Sequence, residues 1–481
     1  MIKNILLIFF AFIPFTAFCI NIEVSFISFY GSSPYTEIYF RIDGKTIDWT
    51  QHQVGKNTSV DILFLVYNQD GDIAAYDKFS LTSAVTDTIC DFIGIKRIRL
   101  QSGEYTLKVE ASETSRPDNK IEMEKKMVIE NPLQQFMLSD ILILGKLKKA
   151  ETDHTMAKNG YYMEPLSFNF ASQKLQQLDF YIESYLPQNI EAIDYFLQYN
   201  IMEGFTTDIK SKPLLSKYKK LTTNSVEPLI LSFSLSSLRS GDYHVLVNII
   251  DKKKNSLCSR TINFIRSNPE ADIAYLESYN ETLDNSFVNN IKKDELEYIL
   301  KAHVPVTEQH QISTLSELIR SNKTKSQKQF IFQYWKSKTS TNPEEAFKKY
   351  MEVASAVDKM FYSNVGFGFQ SDRGYIFLKY GKPSSVITVD TEVDAPPYEI
   401  WYYNYLSLSK QTNVRFLFYN PSLAHNDFRL LHSTCLGEKI NPAWETELYK
   451  SVPKERIGNT VDATQVVENT NRNARRYFNE F

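Results

Sequence analysis

The chain has 481 residues and a formal net charge of −3, with 54 basic and 57 acidic residues. That length allows roughly three domains, and the balance of signs excludes the basic field that nucleic-acid binding needs. Beyond Cys19 only Cys90, Cys258 and Cys435 remain, an odd set with no Cys-x-x-Cys, which argues against a disulfide scaffold and a zinc site.

Met1-Ile2-Lys3-Asn4 is a short positive segment, and Ile5 to Thr16 is apolar with Pro14 inside it. Ala17-Phe18-Cys19 then supplies small residues at −3 and −1, so residues 1–19 read as a signal peptide cleaved after Cys19. Lipidation of Cys19 is the alternative, and the bulky Phe18 before it speaks against that. No later apolar run reaches spanning length, so the expected mature chain is exported and has no integral membrane span.

From residue 20 to 131, short apolar runs alternate with turn residues. Ile22–Phe29, Thr36–Ile42, Val60–Tyr67, Ile95–Leu100, Tyr105–Glu110 and Met123–Ile129 read as strands, with an Asp70-Gly71 hairpin signal after Tyr67. Six short strands in about 110 residues predict a β-sandwich of the Ig-like kind. Residues 132–267 repeat the logic after a connector, Leu138–Leu144, with strands expected at Asp179–Tyr185, Tyr195–Met202 and Pro228–Ser234. Ser240-Gly241-Asp242-Tyr243 echoes Ser102-Gly103-Glu104-Tyr105, each a turn leading into a strand that opens with Tyr. Asp70, Asp72, Asp118 and Asp251 sit at turns, where Asp is favoured for local hydrogen bonds, and the ligand spacing of a calcium loop is missing.

Residues 268–322 change texture to Glu, Lys, Leu and Asn and predict a helical connector. Asp294 is a candidate cap for a helix to Ala302, and Ser313 for one over Thr314–Arg320. His303 and His310 read as ordinary surface or core histidines. Ser326–Ser337 is a helical segment rich in aromatics. A well-marked helix then starts at Asn342 (cap), Pro343 (first position) and Glu345 (capping box), with apolar residues at Phe347, Tyr350, Ala354, Val357 and Phe361.

Four of the 16 glycines of the chain (Gly366, Gly368, Gly374, Gly381) fall within Asn364–Pro383. Tyr375–Tyr380, β-branched and aromatic between glycines, predicts a strand. Gly368-Phe369-Gln370-Ser371-Asp372 resembles the Gly-Trp-x-Thr-Asp signature of the GWxTD domain family, with Phe369 for Trp and Ser371 for Thr. Tyr334-Trp335, Arg373-Gly374, Tyr380-Gly381-x-Pro383, Tyr398–Tyr403 with Trp401, Val414–Phe418 and Asn426–Ser433 extend the likeness over about residues 325–435. The resemblance implies an envelope protein of Bacteroidetes-type bacteria and an α+β domain over 323–450, and it carries no known activity. The run from Gly381-x-Pro383 through Trp401-Tyr402-Tyr403 to Leu430-Leu431 also resembles the SmpA/OmlA-like outer-membrane assembly lipoproteins, in which such a turn precedes an antiparallel sheet.

The expected fold is therefore multi-domain and mainly β: two tandem sandwiches, then an α+β GWxTD domain, with residues 451–481 a polar tail, mobile or ordered by a partner. Candidate chemical groups are Asp372, Arg373, Glu399, Arg415, Asp427, Arg429 and His432. If the protein is an enzyme, a hydrolase of envelope polymers or peptides, then Asp372, Arg373, Glu399 and His432 must converge on one cleft. The reading preferred on spacing is structural: Asp372 capping its turn, and Arg373 pairing with Asp427 or Glu399. No nucleophile elbow, zincin motif, Walker loop or dinucleotide turn occurs, so no cofactor or metal is expected. The expected function is a non-enzymatic scaffold or binding module that engages another envelope or outer-membrane protein. A carbohydrate-binding module is a further possibility, requiring exposed coplanar aromatics.

Overall fold

A computed structural model describes residues 20–480, apart from 32–33, 131–135, 151–153, 188–193, 206–211, 223, 279–282, 340, 364–365, 442 and 450–471. The signal-peptide reading and most of the expected polar tail lie outside the described residues. The chain forms two units, one of residues 20–24, 39–94 and 102–129, the other of 25–38, 95–101 and 130–480.

In the first unit, Ser59–Tyr67 lies at the heart of a four-stranded sheet ordered Ile73–Thr82, Ser59–Tyr67, Gly103–Glu113, Arg116–Ile129. Strict alternation in Ser59–Tyr67 buries Val60, Ile62, Phe64 and Val66 on one face, and Leu107, Val109 and Ala111 join them. Phe40 covers this face, with its ring 5.8 Å from Phe64 and 5.5 Å from Phe79. The expected hairpin is present: Asn68 donates its N–H to the Asp72 carbonyl, and Gly71 has φ of 86°.

The second unit contains a sandwich of a six-stranded and a five-stranded sheet. Leu178, Phe180, Ile182, Leu229, Leu231 and Phe233 from one sheet meet Leu197, Ile201, Val245, Val247, Ile249 and Phe264 from the other in a single core. The two Ser-Gly-acid-Tyr segments take the same local form. Gly103 and Gly241 each open a strand, and each following Tyr ring lies over its glycine, where a Cβ would meet it at 3.6 and 3.0 Å. The Tyr243 hydroxyl also donates to the Arg239 carbonyl four residues upstream, at 3.1 Å.

Beyond the sandwich the second unit turns helical: α1 (Pro269–Ser278), α2 (Leu296–His303), α3 (Ile312–Arg320), α4 (Thr324–Lys338) and α5 (Pro343–Phe361). The expected helical connector packs closely: α1, α2 and α3 share one core with α4 and α5 through Leu276, Leu300, Leu318, Ile331 and Phe347. Neither predicted cap in this stretch forms: Ser313 lies inside α3, and a 3-10 turn including Asp294 precedes α2. His303 is fully buried, Nδ1 bonded to the Ile299 carbonyl at 2.6 Å and Nε2 accepting from Trp335 Nε1 at 2.9 Å. Those two bonds fix a neutral ring, and burial lowers its pKa to about 4.

After α5 come α6 (Asp372–Tyr380) and the strands β1 (Ser385–Val389), β2 (Tyr398–Leu406), β3 (Gln411–Tyr419) and β4 (Arg429–Ser433), an antiparallel sheet in that order. The strand expected at Tyr375–Tyr380 is thus a helix. Ser371 caps it, its Oγ accepting the Gly374 N–H at 3.1 Å, and Asp372 sits in its first turn. Burial along the run alternates as it would in a strand, with Ile376 and Leu378 buried and Tyr375 and Phe377 half-buried, so the pattern of burial does not tell the two apart and the cap does. One face of the sheet packs Trp401, Tyr403, Phe416 and Phe418 against α5 and α6. The other packs Ile400, Leu417 and Leu431 against α7 (Trp444–Leu448) and α8 (Ala474–Glu480). The end of the expected free tail is therefore docked: Phe478 is buried, Arg472 pairs with Asp394 at 2.8 Å and Arg475 with Glu445 at 2.6 Å.

Candidate functional site

The glycine-rich stretch is a junction of three segments. Asn342 accepts the Glu345 N–H at 3.1 Å, with Pro343 at the first position, and this starts α5 where the sequence indicated. After α5 the chain reverses through Gly366, with φ of 68°, into a 3-10 turn at Gly368–Gln370 and then α6. A Cβ on Gly368 would strike the Asp358 carbonyl oxygen, and one on Gly374 would strike the Gly368 carbonyl oxygen and the Phe369 Cα. Neither glycine has positive φ, so the absence of a side chain serves close approach of backbones. Gly368 donates its N–H to Asp358 Oδ1 at 2.6 Å, and Ser371 Oγ donates to the Gly368 carbonyl at 2.7 Å.

Phe369 is buried edge-on to Tyr298, with centroids 5.2 Å apart, and stacked on Phe367 at 5.2 Å. Burial, reinforced by the nearby Asp358 charge, raises the Tyr298 hydroxyl to about 12. Asp372 does not cap its own turn, as the sequence suggested. Its Oδ2 accepts the N–H of Leu430 on β4, 58 residues away, at 2.6 Å. Because β4 is an edge strand, the aspartate satisfies a backbone donor there.

Arg373 is buried and is the hub of a polar network. Its Nη1 donates to Glu399 Oε1 at 2.7 Å and its Nη2 to Asn426 Oδ1 at 2.9 Å. The guanidinium lies 4.0 Å from the Phe428 ring centroid and 5.0 Å from that of Phe361. Burial lowers the Arg373 pKa, with the Glu399 charge and hydrogen bond opposing. Glu399 Oε2 accepts Trp401 Nε1–H at 2.9 Å, so both carboxylate oxygens are engaged. Asn426, held at φ of 59°, donates Nδ2 to the carbonyls of Met360 and Tyr362 just where α5 ends. Arg373 therefore joins α6, β2, the loop before β4 and the end of α5. Of the two expected partners it takes Glu399. Asp427 instead accepts from Ser422 Oγ at 2.6 Å and pairs with Arg429 at 3.4 Å.

The remaining motif residues extend the same packing. Trp401 is buried against Phe361 and Phe418, at 5.7 and 4.8 Å between centroids. Gly381, with φ of 86°, ends α6, and its carbonyl accepts the Tyr403 hydroxyl at 2.9 Å, two residues before Pro383. Tyr380 and Lys379 both bond Glu438 Oε1, at 2.8 and 2.6 Å.

Of the four groups that an enzyme reading requires, only Arg373 and Glu399 are in contact; Asp372 is exposed and holds the Leu430 N–H, and His432 lies apart. Its ring stacks on Trp444 and Phe478 on the opposite sheet face, its Nδ1 accepts the Asn441 N–H at 3.0 Å, and burial lowers its pKa to about 4. Two clefts of the same unit lie elsewhere. One of about 770 Å³ runs between Ser172–Lys174, α1 and α3, and one of about 340 Å³ is lined by Arg239, Asp242, Asp272 and His310.

Sequence reasoning missed Tyr298 and Asp358, neither of which stands in a periodic pattern, and it named Asn426 only within the Asn426–Ser433 stretch, without its role. It also missed a buried polar cluster in the sandwich of this unit. There Lys158 Nζ sits 3.0 Å from the Phe29 ring centroid and 3.1 Å from Glu183 Oε1, while Tyr181 and Tyr185 donate to that carboxylate at 2.5 and 2.6 Å. Burial lowers the Lys158 pKa against the pull of Glu37 and Glu183.

Helices brought together at glycine contacts, riveted by an Arg–Glu–Trp network and backed by an antiparallel sheet, define an α+β packing module. Residues 275–448 match the model of the GWxTD domain, and the chain carries a GWxTD domain. No curated protein matches the chain. Among solved structures it is similar to red sea bream transglutaminase, at 9% identity over 51% of this chain and 31% of that one, with a TM-score of 0.17. It is also similar to the ApaA protein from Bordetella pertussis, at 8% identity over 24% of this chain and 94% of that one, with a TM-score of 0.16. A DUF3823 family protein from Bacteroides ovatus shows 12% identity over 45% of this chain and 96% of that one, with a TM-score of 0.18. None of these likenesses is close enough to carry an argument. No helix among the described residues is long and apolar enough to cross a membrane.

Proposed function

We propose that this protein is exported to the cell envelope, periplasmic or associated with the outer membrane, and acts there as a non-enzymatic scaffold or binding module. Its partner on this reading is another envelope protein, engaged through the GWxTD domain and the sandwiches that carry it. The observation that supports this most is the state of the motif: Arg373 and Glu399 are bound to each other and to Asn426 and Trp401, and Asp372 holds the Leu430 N–H of an edge strand, so all three serve the fold. The leading segment, residues 1–19, supports export.

The test is affinity capture by the full chain from detergent-solubilised envelope membranes of the native host, with cross-linking and quantitative mass spectrometry. Recovery of one envelope protein in near-stoichiometric amount, reproduced with the purified pair, is expected. No protein above the control level would overturn the proposal.

A further inference from the structure

The two edges of the GWxTD sheet are treated differently. At β4 the Leu430 N–H is taken by Asp372, the Asn441 N–H reaches His432 beside it, and Ser433 Oγ donates to the Lys439 carbonyl. At β1, Ser385-Val386-Ile387-Thr388-Val389, no second strand pairs with the outer side among the described residues. Apart from its ladder to β2, no backbone hydrogen bond from another described segment reaches Ser385–Val389. Two longer edge strands elsewhere carry the charges that discourage pairing: Lys217, Lys219 and Lys220 on Leu215–Lys220, and Lys120, Glu122, Glu124, Lys125 and Lys126 on Arg116–Ile129. β1 has no charge and no proline within it, and its Val386 is 46% exposed.

The charges that flank β1 identify what fits it. Lys382 precedes the strand and Asp390 follows it, and both are exposed. In an antiparallel pair of identical strands centred on Val386, Lys382 of each copy stands opposite Asp390 of the other, Ser384 opposite Thr388, and Val386 opposite itself. A parallel pairing would set like charges together. We propose that β1 is the interface through which two copies of this chain associate, by antiparallel pairing about Val386 into one continuous sheet with a two-fold axis. This stands apart from the envelope assignment and does not depend on it.

The experiment is sedimentation velocity of the chain from residue 20 to 481 over a concentration series. A reversible dimer is expected. Lys382→Asp should weaken it at least about tenfold, because it sets two acid pairs across the axis. The double exchange Lys382→Asp with Asp390→Lys should restore association to within about threefold of the parent. Val386→Pro should abolish it while the melting temperature, followed in parallel, shows that the domain stays folded; Val386→Lys serves the same purpose if the proline variant melts early. A chain that stays monomeric at every concentration would overturn the proposal. So would a dimer indifferent to Lys382→Asp, or one that the double exchange fails to restore.

Discussion

Gly374 shows how a residue can be conspicuous in sequence for one reason and required in structure for another. Four glycines within Asn364–Pro383 stand out in the sequence without showing what each is for. In the fold, only Gly366 and Gly381 of the four have positive φ, while Gly368 and Gly374 let α5, the 3-10 turn and α6 touch. Gly374→Ala should therefore destabilise the domain by about 1–3 kcal/mol, even though alanine is the better helix former, because the new methyl meets backbone atoms that have little room to move. Urea unfolding of the domain measures it. Asp372 is a second case: its partner Leu430 is 58 residues away, and no spacing rule points there. His303 makes a prediction about pH. Its ring stays neutral in the fold down to about 4, whereas in the unfolded chain it takes up a proton near its ordinary value of 6.5. The stability that this adds is complete above about pH 6.5 and is lost as pH falls toward 4, up to about 3 kcal/mol. His432 acts in the same window and the same direction. Unfolding free energy measured across that range should fall toward acid, and His303→Phe should flatten the slope.

At the scale of elements, strands of the sandwiches were legible because one face is buried and the other wet, so Ser59–Tyr67 alternates without a break. α6 was misread as a strand because Tyr375-Ile376-Phe377-Leu378 offers β-branched and aromatic residues, and what decides the matter is non-local. Ser371 caps the start, Arg373 is drawn under the sheet by Glu399, and Gly374 is pressed on Gly368. The tail was misread for a similar reason. Ala474–Glu480 is polar in composition, yet Ala474 and Phe478 find a seat beside Trp444 that only the folded sheet provides. Truncation after residue 471 should uncover Trp444, now 7% exposed. The expected outcome is a red shift and readier quenching of its fluorescence and a lowered melting temperature of the domain, with the α5–α6 contact retained.

For the whole molecule, the mainly β character and the GWxTD domain were both readable from sequence, the one from periodic strands and the other from a motif spread over Gly368 to Ser433. The contribution of α1–α3 to the same core was not, because their residues reveal helices and not what those helices face. The match beginning at residue 275 takes in α2, α3 and the end of α1, in keeping with their shared core. On the function proposed above, the motif builds the domain and binding belongs to its surfaces. The most direct test compares Asp372→Asn and Glu399→Gln with the parent chain in equilibrium unfolding and in capture of the proposed envelope partner. The account predicts a loss of about 1–3 kcal/mol in stability for each, with capture unchanged at temperatures where the variants remain folded. Variants with parental stability that no longer capture the partner, or that lose a measurable hydrolytic activity of the parent, would contradict it.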